Sequence, residues 1–213
     1  MILQNSLFPP ESSWTVPDVF PQFSETETVA IDLETYDPHL MTCGPGWATG
    51  RGHVVGIGVA TKDWEGYFPI RHEGGGNLDE GMVLRWLTKL LSSTKREVVF
   101  HNALYDVGWL RREGVIVKGK ILDTIIAAPL INENRFSYSL DNLGAAYCDE
   151  KKDESLLQDA ALAFGINPKS EMYKLHAKYV GPYGQQDASL TLKLWNKLKL
   201  EIAEQGLEKI LEM

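Results

Sequence analysis

The chain has 213 residues, 44% hydrophobic and 23% charged, an ordinary globular composition with enough apolar mass for one good core. Its formal charge of −8, from 21 basic and 29 acidic residues, argues against a general nucleic-acid coat, but not against an enzyme that meets nucleic acid at one metal-neutralised site. No stretch reaches the roughly 18 apolar residues of a membrane span, Met1 to Trp14 lacks the pattern of a signal peptide, and the two cysteines, Cys43 and Cys148, form neither a CxxC pair nor a disulfide framework, so a cytoplasmic protein without membrane contact is expected.

Residues 1–27, rich in Pro, Ser, Thr and Glu, read as an irregular N-terminal arm that lies along a domain spanning 28–213. Thr28 to Glu34 is nearly all apolar, as a central strand is, and Asp37-Pro38 stops it. Residues 39–52 hold four glycines and read as a loop. His53 to Thr61 and Trp64 to Ile70, joined by Lys62-Asp63, form an antiparallel hairpin. The Gly74-Gly75-Gly76 run is a flexible connection. Asn77, with Glu80 three residues on, offers an N-cap for a helix whose face carries Val83, Leu84, Leu87, Leu90 and Leu91.

Glu97 to His101 is a fourth strand and Leu104 to Arg112 a short helix. Residues 115–122 read as a fifth strand with a helix after it, and Ser139 caps another helix through Tyr147. A helical addition is expected over about 148–180, with helices at 154–165 and 170–179. Pro182 then opens a long last helix with Leu190, Leu194, Trp195, Leu198 and Ile202 on its apolar face. Gly206 ends it, and a final turn runs to Met213. This order predicts an α/β fold with a mixed sheet of five strands flanked by helices.

Three acidic clusters stand at the ends of apolar segments: Asp32-Leu33-Glu34, Asn102 to Asp106, and Tyr183 to Asp187. In a strand, residues two apart face the same way, so Asp32 and Glu34 project together. In a helix, residues four apart share a face, so Tyr183 and Asp187 do too. Asp106 lies just past the fourth strand and reaches Asp32 if the first and fourth strands are neighbours. Converging carboxylates repel one another unless a cation lies between them, and a hard divalent metal takes oxygen ligands of this kind. Four carboxylates suit two Mg²⁺ or Mn²⁺ ions about 3.5–4 Å apart, the arrangement for in-line attack on a phosphodiester. Tyr183, with an ordinary pKa of about 10, keeps its proton at neutral pH and orients the attacking water or the phosphate.

The clusters resemble the Asp-x-Glu, Asn-x-x-x-Asp and Tyr-x-x-x-Asp motifs of the DEDD 3′–5′ exonucleases over residues 28–200. Pro182 stands where the other subclass has histidine, so the resemblance is to the tyrosine type. His101 to Asp106, Leu122-Asp123-Thr124, Ser139 to Leu143 and the Gly44-Pro45-Gly46-Trp47 loop are similar to proofreading domains of phage-type family A DNA polymerases. The resemblance implies a ribonuclease H-like fold and metal-dependent release of nucleoside 5′-monophosphates from single-stranded or frayed DNA 3′ ends. It also implies a polymerase module in cis or trans and, for a phage-encoded chain, the host cytoplasm. By position it makes Asp32, Glu34 and Asp187 ligands of a first metal. Asp32 also reaches a second, where Asp106 acts through water, and Thr35 and Asn102 are substrate contacts. One departure concerns the leucine that wedges between terminal bases in many members. Here the segment is shortened to Thr35-Tyr36-Asp37-Pro38, and Tyr36 is the replacement for stacking on the base.

The alternatives are an exonuclease of RNA ends and a non-catalytic domain that only binds nucleic acid. Asp123 reads as a helix cap rather than a fifth ligand, and His101 as a packed strand-end residue. His39, His53, His72 and His176 make no ligand pattern. Lys118, Lys120, Arg135, Lys151 and Lys152 read as solvated surface, and Trp47 as the loop tryptophan open to base stacking.

Overall fold

The computed structural model describes residues 8–211. In chain order the elements are β1 (Val29–Tyr36), α1 (Leu40–Cys43), α2 (Gly46–Thr49), β2 (His53–Ala60), β3 (Glu65–Pro69), α3 (Glu80–Leu91), β4 (Glu97–Phe100), α4 (Ala103–Arg112), β5 (Lys120–Asp123), α5 (Thr124–Ile131), α6 (Leu140–Tyr147), α7 (Ser155–Phe164), a single 3₁₀ turn (Met172–Lys174), α8 (Ala177–Gln205) and α9 (Glu208–Leu211). The strands form one sheet in the order β3-β2-β1-β4-β5. The β1/β2 and β2/β3 pairs are antiparallel, whereas β1/β4 and β4/β5 are parallel. This is the expected mixed five-stranded sheet, with the hairpin in place and the first and fourth strands adjacent.

The central strand sorts its residues by parity. Val29, Ile31 and Leu33 enter a core with Val83 and Leu87 of α3 and Trp109 of α4, against which Phe20 and Phe23 of the arm also pack. Ala30, on the opposite face, joins Val99, Leu122, Leu194, Trp195 and Leu198 beneath α8. The face under α8 carries small residues on β1 and β2, which lets a long helix lie close to the sheet. The carboxylates of Asp32 and Glu34 share the parity of Ala30 and so face α8.

Several local expectations are corrected. Residues 39–52 are not a plain loop but hold the single-turn helices α1 and α2. The cap of α3 is Asp79, whose Oδ1 accepts from Met82 N at 2.7 Å. Asn77 is instead bonded both ways to the His72 backbone, at 2.7 and 2.8 Å. The fifth strand is four residues long, not eight, because β4 offers only Glu97 to Phe100 for pairing. Over 170–179 there is no separate helix, only the 3₁₀ turn and the start of α8. The end of the predicted final turn, residues 212–213, and residues 1–7 of the arm lie outside the described residues.

The long helix begins at Ala177, and Pro182 sits inside it rather than at its first position. A proline there removes the N–H that would bond the carbonyl four residues back. That carbonyl belongs to Lys178, and it accepts from Ser12 Oγ at 2.8 Å. Two residues further on, Trp14 covers Gly181, where a Cβ would overlap the indole, and its Nε1 donates to Gln185 Oε1 at 3.2 Å. The arm is held elsewhere by Trp86 Nε1 on Pro21 O (2.9 Å) and Arg96 Nη1 on Glu27 O (2.6 Å). It therefore supplies the hydrogen bond that the proline removes from the helix bearing Tyr183 and Asp187.

Candidate active site

Asp32 and Glu34 reach α8 because the strand beside them is stripped of side chains. Gly58 of β2 pairs with Asp32, and Gly56 with Glu34. A Cβ on Gly58 would overlap the carbonyl of Gly184 in α8, and a Cβ on Gly184 would meet the ring of Tyr67. These glycines let the Tyr183-to-Asp187 turn settle directly over the two strand carboxylates. Asp32, Glu34 and Asp187 each offer an oxygen within 4.8 Å of the others. Glu34 and Asp187 are buried and Asp32 half-buried.

Asp106, in the first turn of α4, is also buried. Past the end of β4, the Leu33 N–H has Asp106 Oδ1 as its acceptor at 3.1 Å. That bond fixes Asp106 against the Asp32–Glu34 segment, although it stands outside the three-carboxylate group. The helix start itself is held by Asp123, whose carboxylate accepts from Asn102 N, Ala103 N and Ile125 N at 2.8–3.0 Å. Asp123 thus caps α5, as its sequence context suggested, and also holds the start of α4, which the sequence did not suggest. His101 is packed, with Nδ1 2.7 Å from Thr124 Oγ1, and burial brings its pKa down to about 4.

Every carboxyl of the cluster is pushed up. Burial is the largest cause for Asp32, aided by Asp187 and opposed by Lys152, and together they bring it to about 7. Burial, then Asp32 and Asp187, hold Glu34 well above its ordinary range. Burial, then Asp32, do the same to Asp106, against the pull of the Leu33 N–H. Asp187 is raised by burial, with Lys152 and Tyr183 pulling it back.

The sign of the stability effect follows from linkage. A carboxyl whose folded pKa lies above its unfolded value binds protons in the native state that the unfolded chain has released. For Asp32 the associated stability is full below about pH 4 and is lost as pH rises to about 7. In the metal-free protein, Asp32→Asn is therefore expected to gain stability over wild type as pH increases from 5 to 8, by on the order of a few kcal/mol. Saturating Mg²⁺ should erase that gain. Urea denaturation of both proteins at each pH, with and without Mg²⁺, checks it. A wild-type/variant difference that is independent of pH would contradict the assignment.

Sequence reasoning missed Lys152, which it read as solvated surface. The side chain is only 14% exposed, and Nζ lies 2.5 Å from Asp187 Oδ2. It also donates to Tyr183 Oη at 3.1 Å and sits 4.7 Å from the centre of that ring. The loop carrying it is stitched to α8 by Asp153 N on Gln186 Oε1 (2.8 Å) and Gln186 Nε2 on Lys151 O (3.3 Å). No sequence spacing connects residue 152 to 187. The only available signal was its place in a polar stretch between two helices that pack on α8.

Tyr183 keeps its proton. Burial, then Glu34, Asp187 and Asp32, raise the phenol well above its ordinary value. Beside it opens a cleft of about 640 Å³ lined by Ser139, Asp141, Lys151, Lys152, Lys169 and Tyr183, among others. Of the expected substrate contacts, Asn102 is exposed in a left-handed conformation (φ 78°) and makes no side-chain cap bond. Thr35 Oγ1 is 2.8 Å from Tyr105 Oη, which donates to Asp37 Oδ2 at 3.1 Å. Tyr36 lies against Tyr173, with ring centres 4.3 Å apart. Trp47 is half-buried, with its indole packed where a Cβ on Gly108 would be. Arg135 lies over the Tyr147 ring.

A family model described as 3′–5′ exonuclease matches residues 11–203, and the chain belongs to that family, related to the exonuclease domains of family A DNA polymerases. It is 40% identical over 214 residues to a DNA-directed DNA polymerase of Pseudomonas phage M6, covering 96% of this chain and 32% of that protein. DNA polymerase I of Pseudomonas aeruginosa is 27% identical over 189 residues, covering 84% of this chain and 19% of that one. The chain thus spans about a third of the phage relative's length and less of the bacterial one's.

Among solved structures, Brucella melitensis NrnC with bound Mg²⁺ superposes with a TM-score of 0.60 at 17% identity, covering 88% of this chain and 79% of that one. Escherichia coli RNase D superposes with a TM-score of 0.54 at 16% identity, covering 84% and 40%. These likenesses establish the ribonuclease H-like fold. Among the described residues, no helix is long and apolar enough to cross a membrane.

Proposed function

We propose that this chain is a metal-dependent 3′–5′ exodeoxyribonuclease of the DEDD tyrosine type, proofreading DNA 3′ ends beside a polymerase module in cis or trans. The observation that carries the reading is the convergence of Asp32, Glu34 and Asp187 within 4.8 Å, with Tyr183 one helical turn from Asp187. DNA is favoured by the relative at 40% identity, named a DNA-directed DNA polymerase.

The donor set fits hard divalent cations, Mg²⁺ or Mn²⁺. It is all oxygen, its carboxyls are driven toward protonation when alone, and Asp187 Oδ1 is buried with no hydrogen-bond partner. Asp32, Glu34 and Asp187 would hold one ion, and Asp32 with Asp106 a second. Bound cations supply charge neutralisation at the phosphate and a water of lowered pKa. In the reaction a water oxygen bonds to the terminal phosphorus and the P–O3′ bond breaks. The shortened strand keeps its 3′-hydroxyl, and a nucleoside 5′-monophosphate leaves. Tyr183, protonated, donates its O–H to the water or to a phosphate oxygen and so orients the attack. The exposed amide of Asn102, the Thr35 hydroxyl and the Tyr36 ring are the contacts for the terminal nucleotides.

The 640 Å³ cleft beside Tyr183 is the proposed seat of the strand's terminal nucleotides. A terminal phosphodiester arrives there only after unpairing, which costs a few kcal/mol and least at a mismatched or single-stranded end. End-labelled DNA and RNA, with paired, mismatched and single-stranded 3′ ends, test the reading in Mg²⁺ with and without excess chelator. Expected are 3′-to-5′ shortening of DNA, faster at mismatched than at paired ends, and none in chelator. Equal rates on paired and mismatched ends would remove the proofreading role. Preference for RNA would make this an exoribonuclease, and shortening in chelator would end the metal-dependent reading.

Tyr183→Phe separates orientation from metal holding. It removes one O–H and leaves every carboxylate, so turnover should fall by about a hundredfold or less. Mn²⁺ affinity should barely change. A loss as complete as that from removing a carboxylate would give Tyr183 a larger part.

A further inference from the structure

Lys152 reaches the active site from outside its catalytic elements. It lies between α6 and α7, and its ammonium enters between Tyr183 and Asp187, side chains one turn apart on α8. Its ion-pair partner is Asp187, which is 5% exposed in the side chain. A buried ammonium stripped of its carboxylate costs several kcal/mol unless another anion takes over. Cation and lysine therefore meet at one carboxylate: Lys152 holds Asp187 Oδ2, Oδ1 is buried without a partner, and a dication bound at Oδ1 would repel the ammonium beside it. Lys152 also borders the adjoining cleft, which Lys151 and Lys169 line with it next to Tyr183, together with the carboxylates of Asp141 and Glu154. An anion there must be negatively charged, small enough for the cleft and close to the metal-binding carboxylates. The phosphate of a strand's terminal nucleotide meets all three conditions.

Resting on the nuclease reading above, we infer that Lys152 is an internal counter-cation that couples metal loading to arrival of the terminal phosphate. In the metal-free protein it neutralises Asp187. When a divalent cation takes that carboxylate, the ammonium transfers to a non-bridging oxygen of the nucleotide phosphate and remains in reach of Tyr183. Metal and nucleotide each lower the cost of binding the other, and the reciprocity is thermodynamic. Without nucleotide, the lysine holds metal affinity down and limits idle loading.

The test reads binding, not hydrolysis. Mn²⁺ is titrated calorimetrically into wild type, Lys152→Met and Lys152→Arg, each with and without saturating thymidine 5′-monophosphate. For wild type, the nucleotide should tighten Mn²⁺ binding by about tenfold. Lys152→Met should bind Mn²⁺ about tenfold tighter than wild type without nucleotide, and its coupling should collapse toward none. Lys152→Arg, which keeps the charge, should retain coupling. Absence of coupling in wild type overturns the inference whatever the variants do, including a Met variant that fails to fold. Unchanged Mn²⁺ affinity in a folded Lys152→Met overturns it too, since the metal would then leave the Lys152–Asp187 pair intact. A chain that degrades no nucleic acid yet shows the coupling would sink the nuclease reading alone. One that degrades DNA without the coupling would sink only the role of Lys152.

Discussion

Asp32→Ala and Asp187→Ala should each reduce hydrolysis by about a thousandfold or more, while shifting the stability of the metal-free protein in opposite directions. Both carboxylates belong to the three-oxygen group, so either loss removes a proposed ligand. Their neighbours differ. Asp32 is surrounded by acids, and its ionised form is disfavoured by burial and then by Asp187. Removing it relieves repulsion, and the apo melting temperature should rise. Asp187 is the ion-pair partner of Lys152, at 2.5 Å with both side chains largely buried. Removing it strands an ammonium, so the apo melting temperature should fall despite the loss of one negative charge. Counting charges alone predicts a rise for both. Calorimetric melting of the two variants in chelator, beside assays in Mg²⁺, decides between the views. Full activity in either variant would dismiss the site, and a rise in both would dismiss the weight given to Lys152.

Gly58→Ala should impair the enzyme severely without altering any group that performs chemistry. The added methyl would overlap the Gly184 carbonyl, and Ala188 is also close. A helix backbone cannot rotate away as a side chain can, so α8 must lift from β2, taking Tyr183 and Asp187 with it. Overpacking of this kind costs about 1–3 kcal/mol in stability. Displacing reactive groups by about 1 Å can cost about a hundredfold in rate. Mn²⁺ affinity should drop as the trio opens. A variant that melts lower but keeps wild-type rate and Mn²⁺ affinity would show that the close approach matters only for packing.

Much of the site was legible because it rests on short-range geometry. Two-residue alternation places Asp32 and Glu34 on one face whatever the strand packs against. Four-residue spacing does the same for Tyr183 and Asp187 on a helix. The apolar runs before each cluster marked strand and helix well enough to predict a mixed five-stranded sheet, and Asp123 and Ser139 read correctly as caps. Where the reading failed, a distant partner decided the outcome. Pro182 looked like a helix start, yet it lies within α8 because Ser12, 170 residues earlier, donates to the carbonyl its missing N–H leaves open. Asn77 looked like a cap until the His72 backbone claimed it, leaving the role to Asp79. Lys152 looked like surface until its loop docked on α8. Local periodicity by itself determined that Asp32 shares a face with Glu34 and Tyr183 with Asp187, since dihedral geometry acts over a few residues. Only the tertiary structure decided which cation meets them and how closely the helix approaches, since both depend on contacts between segments far apart in the chain.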